Sequence, residues 1–267
     1  MGAQPPVLLT VERGIATITL NRPAALNALS PEMLTALVEI TGRFERDAAV
    51  RCVVLRGAGD HFMAGGDVKR FHEALTRDAA AYVASTELRV LTVHQVVAHL
   101  RRMPKPVLAS VQGAAAGFGL SLVMACDLAI AAEDAVFTVA YRHVGLSGDG
   151  GATYFLPRLV GERRALELAL LAERFDARRA LELGLVNRVV PRPRLAEETA
   201  RLARQLADGP TVALGITKQL IRGAFDRTWD EHSHREAEGM ARAAATEDHR
   251  EGVQAFVEKR RPVFRGR

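Results

Sequence analysis

The chain has 267 residues, 48% of them hydrophobic and 5% aromatic, which fits one large globular domain or a core with an appendage. Its formal net charge is +5, but it has no long basic arm and no basic patch interleaved with aromatic residues, so nucleic acid is not an expected partner. The two cysteines, Cys52 and Cys126, stand in apolar runs typical of buried reduced thiols, and no Cys/His spacing indicates zinc, so we expect no metal.

The first predicted elements are a hairpin, a helix and a third strand. The β-branched runs Val7–Glu12 and Ile15–Leu20 flank an Arg-Gly turn and predict two paired strands. Ser30 followed by proline and glutamate is a helix start, and this helix is predicted to run from 31 to about 46. Residues 52–55 predict the next strand.

Glycine-rich loops divide the middle of the chain, at 56–67, 113–119 and 145–153. The first loop leads into a helical region that is predicted to continue to about residue 102. The second opens into another helical pattern, because small and apolar residues continue without a break after its glycines. The strands predicted in this part of the chain cover 106–111, 127–131 and 137–139.

The C-terminal part has a helical pattern almost throughout after residue 162, with a short β segment at 185–190. Thr246 is predicted to cap the last helix. The C-terminal helices are expected to pack on the core or on a neighbouring subunit. The predicted domains are an α/β core, 1–195, and a helical C-terminal region, 196–267.

The segment 107–126 carries no charge and is long enough for a transmembrane helix. Gly113, Gly117 and Gly119 near its middle, together with its strand-like start, favour a buried strand–loop–helix unit instead. Residues 1–6 lack the charged region followed by an apolar region that marks a secretory signal. We therefore expect a cytoplasmic protein without a membrane partner.

The end of the second glycine loop has the features of an anion site. A loop of small residues that leads into a helix leaves several backbone N–H groups unpaired. The helix dipole adds partial positive charge there, which suits an anion or a developing oxyanion. The alternative is a buried helix whose glycines only allow close packing.

Four motifs in order resemble those of the crotonase superfamily, the enoyl-CoA hydratase/isomerase family, and the resemblance covers essentially the whole chain. These motifs span 21–29, 63–67, 113–127 and 247–260. The resemblance implies an α/β fold in which repeated ββα units form a spiral. It also implies C-terminal helices that form homotrimers, often stacked into hexamers.

The resemblance implies an acyl-CoA thioester as substrate, with no cofactor other than the coenzyme A that the substrate carries. By motif position, the backbone N–H groups of Gly66 and Phe118 would bind the thioester oxygen. Preorganised donors of this kind stabilise an oxyanion by roughly 3 kcal/mol each. The positions that would contact CoA are Ala24, Leu26, Ala64, Asp67, Lys69 and, from an adjacent subunit, Phe256 and Lys259. The two lysines could equally be solvated surface charges.

The acid/base residues must decide which reaction is catalysed, because one fold hosts many reactions. Hydratases of the family use two glutamates, and the matching positions here are Ser121 and Tyr141. Hydroxyls with ordinary pKa values activate water poorly at neutral pH, so a hydratase with two glutamates is not expected. Asp149 stands where isomerase-like members, close to those of phenylacetyl-CoA catabolism, carry a carboxylate. One carboxylate near apolar side chains such as Phe118 and Leu146 could carry out a double-bond shift by itself.

Several alternatives stay open from the sequence. Asp149 could instead be a turn or N-cap residue, or the nucleophile of a hydrolase or dehalogenase with His94 as its base. His94 could also lie on a helix surface or at a trimer contact. Tyr141 is expected either to donate a hydrogen bond near the acyl group or to line the pocket. Two hypotheses remain. The protein could be a hydratase with an atypical site, or a CoA- or RNA-binding oligomer without enzymatic activity.

Overall fold

The computed structural model describes residues 4–267, so the signal-peptide prediction for residues 1–6 lies partly outside the described residues. The strands are β1 (Val7–Glu12), β2 (Ile15–Leu20), β3 (Cys52–Gly57), β4 (Val107–Val111), β5 (Ala114–Ala116), β6 (Leu128–Ala132), β7 (Val136–Thr138), β8 (Phe175–Asp176) and β9 (Arg188–Val190). The helices are α1 (Pro31–Arg46), α2 (Val68–Arg77), α3 (Ala79–Arg102), α4 (Phe118–Ala125), α5 (Ala152–Val160), α6 (Glu162–Leu171), α7 (Ala177–Glu182), α8 (Leu195–Ala207), α9 (Thr211–Gly223), α10 (Trp229–Ala244) and α11 (Glu247–Val257).

Two sheets carry the predicted α/β architecture. The larger has six strands in the order β1-β2-β3-β4-β6-β9, and only the β1–β2 hairpin in it is antiparallel. The smaller has the order β5-β7-β8, with β5 and β7 parallel. The orders β1-β2-α1, β4-β5-α4 and β6-β7-α5 show the expected ββα repeat. The predicted fold class is therefore confirmed.

The prediction of one continuous helical region over 68–102 is wrong, because this segment forms two helices that meet at Asp78. Asp78 has an extended backbone, and its side chain accepts a hydrogen bond of 2.9 Å from the N–H of Ala81. A short acidic side chain that satisfies one of the free N–H groups of a first turn begins a new helix. The strands Ala114–Ala116 and Phe175–Asp176 also interrupt segments that the sequence pattern describes as loop and helix.

Alternate residues of the central strands face two different layers of helices. Val53 and Leu55 of β3 lie in the main core, whereas Cys52 and Val54 face a second cluster. In that second cluster the apolar face of α8 covers the sheet, since side chains such as Leu202 pack there. The predicted domain boundary at residue 195 stays a prediction, and α8, which begins there, packs on the sheet.

The parallel strands give the large sheet two distinct edges. The loops that follow β3 and β4 lie at the carboxyl edge, and these are the first two glycine-rich loops. Helix α9 and the segment that follows α11 dock at the amino edge instead. There the ammonium group of Lys218 lies 2.8 Å from the carboxylate of Asp127, just before β6. Arg51, just before β3, donates hydrogen bonds to Thr211 and to the carbonyl of Phe264.

The predicted strand–loop–helix unit at 107–126 is confirmed, because β4, β5 and α4 follow one another there. These elements are almost entirely buried against the rest of the core. Over residues 4–267, no helix is both long enough and apolar enough to cross a membrane.

Both cysteines are buried free thiols, as the sequence predicts. Burial raises the pKa of Cys52 and that of Cys126 to about 12. Because the thiolate is the reactive form, we expect neither thiol to react with a disulfide reagent at about pH 8 while the protein is folded. A spectrophotometric thiol titration should count two thiols per chain only after denaturation. Rapid labelling of the native protein would contradict this burial.

Candidate active site

The first two glycine loops are hydrogen-bonded side by side at the carboxyl edge of the large sheet. The N–H of Met63 donates to the carbonyl of Ala114 at 2.9 Å, and the N–H of Ala116 donates back to the carbonyl of Met63 at 2.9 Å. Gly119 sits directly over this junction, where a Cβ would fall 2.2 Å from the Met63 carbonyl oxygen. Only glycine fits there, so the two loops approach each other more closely than side chains would allow.

Each loop presents one backbone donor that the protein leaves unused. Among residues 4–267, neither the N–H of Gly66 nor that of Phe118 donates a hydrogen bond to another group of the chain. Phe118 is the first residue of α4, so the dipole of this helix adds positive potential at its N–H. The preceding Gly117 has φ of 51° and ψ of −120°, a conformation that favours glycine and turns the chain into the helix. That these two donors bind one oxyanion between them stays a prediction.

Asn27 anchors the first loop from the N-terminal motif. Its buried side-chain amide donates to the carbonyls of Ala58 and His61 at 2.9 and 2.7 Å, and its oxygen accepts from the N–H of Arg22. The side chain thus satisfies backbone groups that the loop itself cannot pair. Asn27 also has a positive φ of 56°, which asparagine tolerates better than most residues. Asn27 therefore links the N-terminal motif at 21–29 to the first glycine loop.

The third glycine loop places Asp149 beside α4. A Cβ on Gly150 would fall 2.6 Å from the ring of Phe118 and 3.0 Å from Cβ of Ser121, so the loop lies directly on the first turn of α4. The side chain of Asp149 does not cap the next helix, since α5 begins after Gly151 without any side-chain cap. The N-cap alternative for Asp149 is therefore wrong.

Ser121 and Tyr141 bind Asp149 instead of acting as separate groups. The hydroxyl of Tyr141 donates to Oδ1 of Asp149 at 2.7 Å, and Oγ of Ser121 lies 2.9 Å from the same hydroxyl. Ser121 is fully buried, and its Oγ also lies 3.1 Å from the backbone carbonyl of Asp149. The sequence predicts a hydrogen bond from Tyr141 near the acyl group or a place for it in the pocket wall, but nothing in the spacing of Ser121 and Tyr141 indicates that they meet at one carboxylate.

Opposing influences act on the pKa of Asp149. Burial raises the pKa of Asp149 above its ordinary value, whereas the Tyr141 hydrogen bond and the charges of His94 and Arg89 lower it. Burial and the adjacent carboxylate also raise the pKa of Tyr141 well above its usual range, so this phenol stays protonated. A carboxyl group with a raised pKa is better matched to proton transfer near neutral pH than an ordinary aspartate. Leu146 is 43% exposed, so of the two expected apolar neighbours only Phe118 is buried beside this loop.

Aromatic and basic side chains from α2 and α3 form another part of the site. The ring of Phe71 lies against Gly66, where a Cβ would fall 2.6 Å from the ring. The guanidinium carbon of Arg89 lies 5.6 Å from the Phe71 ring centre and 4.7 Å from that of Tyr82. His94 lies five residues further along α3 and is exposed. Its predicted role as a base stays a prediction, although its charge acts on Asp149.

Five of the residues predicted to contact CoA lie near the first loop. The N–H of Ala64 donates to the carbonyl of Leu26 at 3.0 Å, which brings these two positions together, and Ala24 precedes Leu26 in a short 3-10 turn. Asp67 caps α2 and pairs with Arg22 at 2.9 Å, so its carboxylate has a structural role. Lys69 is exposed on the first turn of α2. Contact of these residues with CoA stays a prediction.

Phe256 and Lys259 belong to a different part of the fold. They belong to the end of α11 and the following turn, and both are exposed, Phe256 by 85%. The C-terminal segment after them packs near Arg51 at the amino edge of the large sheet, whereas the glycine loops lie at the carboxyl edge. One chain therefore does not bring them to its own site, and their contribution from an adjacent subunit stays a prediction. Within residues 4–267, no group of three or more His, Cys, Asp or Glu side chains is placed to hold a metal ion.

Comparisons with known proteins show the family of this chain. Residues 10–267 match the family model described as enoyl-CoA hydratase/isomerase. The chain is 40% identical to 1,2-epoxyphenylacetyl-CoA isomerase of Escherichia coli, over 98% of both chains. It is 35% identical to a 4-chlorobenzoyl coenzyme A dehalogenase of an Arthrobacter species, over 85% of this chain and 81% of the relative. The crystal structure of an enoyl-CoA hydratase from a Polaromonas species superposes with a TM-score of 0.90 at 37% identity, over 97% of this chain and 99% of that one. The resemblance found in the motifs is thereby confirmed, and the chain belongs to the enoyl-CoA hydratase/isomerase family.

Proposed function

We propose that the protein is an acyl-CoA isomerase that moves a double bond in an enoyl-CoA, with Asp149 as its acid and base. The observation that carries this proposal is a partly buried carboxylate beside the helix start that presents an unpaired N–H. The third loop packs against the first turn of α4 and places Asp149 beside it, while Gly66 and Phe118 offer two free backbone donors. The combination supplies a group that moves a proton and a place for the negative charge that results.

The proposed reaction is a 1,3-proton shift. The thioester oxygen accepts hydrogen bonds from the N–H groups of Gly66 and Phe118, which makes the adjacent C–H bonds more acidic. The carboxylate of Asp149 removes a proton from one end of the allylic system, and the electron pair moves onto the thioester oxygen as a dienolate. The protonated Asp149 then returns the proton at the other end. The two donors would stabilise the dienolate by roughly 3 kcal/mol each.

Hydration is supported less well by the same site. Addition of water needs one group that activates the water and another that delivers a proton. The two positions that carry glutamates in hydratases of the family hold Ser121 and Tyr141, and their hydroxyls are engaged with each other and with Asp149. Asp149 would have to do both tasks alone.

The proposed substrate carries its own CoA, so no separate cofactor is needed. Ala24, Leu26, Ala64 and the exposed Lys69 would form the CoA side of the site beside the first loop. We further propose a homotrimer or a hexamer of two trimers, in which Phe256 and Lys259 of one subunit cover CoA in another. Phe256 is 85% exposed and lies beside the exposed apolar residues Val253 and Val257 of α11, which is consistent with burial of this surface in an assembly.

A second candidate is nucleophilic substitution at an aroyl-CoA, by attack of Asp149 on the ring. It is favoured by the effect of His94 and Arg89 on Asp149, because both lower the pKa of this carboxyl group and so support its carboxylate form. A relative of this chain is named as a 4-chlorobenzoyl coenzyme A dehalogenase. In this reaction halide leaves the ring, and water then hydrolyses the aryl ester on Asp149.

The experiment that tests the proposal is a panel of acyl-CoA thioesters incubated with the protein in deuterium oxide. The panel includes linear enoyl-CoAs, enoyl-CoAs whose acyl chain carries an aryl ring, and a 4-halobenzoyl-CoA. We expect deuterium uptake at the α and γ carbons and a shifted double bond, measured by mass spectrometry and NMR. A hydrated product would favour the hydratase, and halide release would favour substitution. Binding of thioesters without any of these reactions would contradict the proposal.

A further inference from the structure

We propose that Tyr141 is a positioning residue that holds one oxygen of Asp149 throughout the reaction and leaves the other oxygen to move the proton. Ser121 would hold Tyr141 in turn. This inference rests on the proposed role of Asp149 as acid and base. It assigns a purpose to two hydroxyls that stand at positions where hydratases of the family carry carboxylates.

The hydrogen bonds leave little freedom in how the three groups share their protons. Tyr141 has one hydroxyl proton, and its shortest bond is the 2.7 Å contact with Oδ1 of Asp149. Ser121 then donates to Tyr141 at 2.9 Å, or to the carbonyls of Asp149 or Gly117 at 3.1 and 3.3 Å. Within the described residues 4–267, Oδ2 of Asp149 accepts no hydrogen bond. One oxygen is therefore held and the other is free to accept a proton.

This arrangement works in both protonation states of Asp149. When the carboxylate takes a proton, the proton goes to the free Oδ2, and Oδ1 remains an acceptor for Tyr141. The phenol stays protonated, because burial and the neighbouring carboxylate raise the pKa of Tyr141. No hydrogen bond has to be broken between proton removal and proton return, so the same oxygen can serve both ends of the substrate.

The same network joins the proton-transfer group to the oxyanion donors. Ser121 lies one turn after Phe118 on α4, and a Cβ on Gly117 would lie 3.9 Å from Cζ of Tyr141. Tyr141 therefore packs on the loop that leads to the Phe118 N–H while it binds Asp149. The position of the carboxylate relative to the oxyanion is then set by α4, and such preorganisation is what an acid/base group needs in order to act efficiently.

The Tyr141 hydrogen bond also opposes the effect of burial on Asp149. A hydrogen bond is stronger to a carboxylate than to a neutral carboxyl group, so it favours the ionised form. Without this donor, less opposes the effect of burial on Asp149, so we expect the pKa of Asp149 to rise. Because the reaction starts with the ionised form, a higher pKa means that the base is available only at higher pH.

The test is the pH profile of solvent deuterium exchange for Tyr141→Phe. We expect the acidic limb of kcat to move upward by about one pH unit, the shift that follows from about 1.4 kcal/mol of lost preference for the carboxylate. At the plateau we expect kcat to fall about tenfold through poorer positioning, with KM nearly unchanged. Ser121→Ala should move the limb in the same direction by a smaller amount. If Tyr141→Phe does not fold, a fluorotyrosine at position 141 should move the limb downward, because its hydroxyl is a stronger donor.

Tyr154→Phe is the matched control, since its hydroxyl binds the exposed Asp226 at 2.8 Å and should leave the profile unchanged. An unmoved acidic limb in Tyr141→Phe, or in the fluorotyrosine variant if that replaces it, would overturn the inference. Asp149→Asn separates this failure from failure of the proposed function. If that variant loses exchange while the limb of Tyr141→Phe is unmoved, only the positioning role is wrong. If Asp149→Asn retains exchange, the role of Asp149 itself is wrong.

Discussion

Replacement of Asp149 by Asn is expected to reduce solvent proton exchange by about 10²- to 10⁴-fold, the range that a positioned acid/base group contributes. Asn has nearly the same shape as Asp, and its oxygen can still accept the Tyr141 hydroxyl, which lies 2.7 Å from Oδ1 in the native protein. It cannot remove a proton from carbon. The N–H groups of Gly66 and Phe118 are untouched, so thioester binding should survive.

The same substitution should not destabilise the fold near neutral pH. Burial raises the pKa of Asp149, so the folded chain holds this proton more tightly than the unfolded chain does. Asp149 therefore makes its full contribution to the free energy of unfolding at pH values below the pKa that it has in the unfolded chain. This contribution is lost as the pH rises through its pKa in the folded chain. Asn does not ionise, so it removes this loss. We expect the Tm of Asp149→Asn near neutral pH to equal or exceed that of the native protein.

Deuterium uptake, thioester affinity and Tm, measured on the same preparation, give a combined test. Lost exchange with retained affinity and Tm assigns proton transfer to Asp149. Lost exchange with lower Tm would indicate that Asp149 mainly supports the loop. Exchange that persists within a factor of a few would show that another group moves the proton, and the site would have to be reassigned.

Backbone positions of this site are readable from sequence because short contiguous motifs carry them. Gly66 and Phe118 each lie inside a run of small residues whose geometry is largely local. The break at Asp78 also has a local signal, since an Asp before three alanines is a typical N-cap, but helix-forming residues continue on both sides of it and hid that signal. The strand Ala114–Ala116 has no such signal. Alanine has low strand propensity, and here pairing with Met63 and with β7 imposes the strand.

The network around Asp149 could not be predicted in this way. Its members come from a helix, a 3-10 turn and a loop, and they meet only because Gly150 allows the third loop to lie on Phe118 and Ser121. Serine and tyrosine are common residues with ordinary structural uses, so neither indicates a site by itself. The role of Asn27 could not be predicted either, because its amide donates to carbonyls of a loop some thirty residues further along the chain. Such long-range pairing depends on the fold rather than on local pattern.

Replacement of Gly119 by Ala is expected to lower turnover by about 10²- to 10³-fold, the loss seen when one oxyanion donor is removed. The added Cβ would fall 2.2 Å from the carbonyl oxygen of Met63, and backbone atoms cannot move aside as a flexible side chain can. That carbonyl also accepts the N–H of Ala116 at 2.9 Å. The two loops must therefore separate, and Gly66 moves away from Phe118. Overpacking of this kind costs roughly 1–3 kcal/mol of stability as well.

Gly252→Ala is the matched control for this prediction, because Gly252 also lies inside a helix. Its added Cβ would meet the ring of Phe264 at 3.4 Å, an ordinary contact, so turnover should be unchanged and stability should stay the same or rise. Kinetics and thermal unfolding of both variants separate the two effects. Loss of turnover in folded Gly119→Ala, with binding of the CoA thioester largely kept, would show that the spacing of the two donors sets the rate. Full activity in that variant would mean that the loops tolerate separation and that the oxyanion is not bound between Gly66 and Phe118.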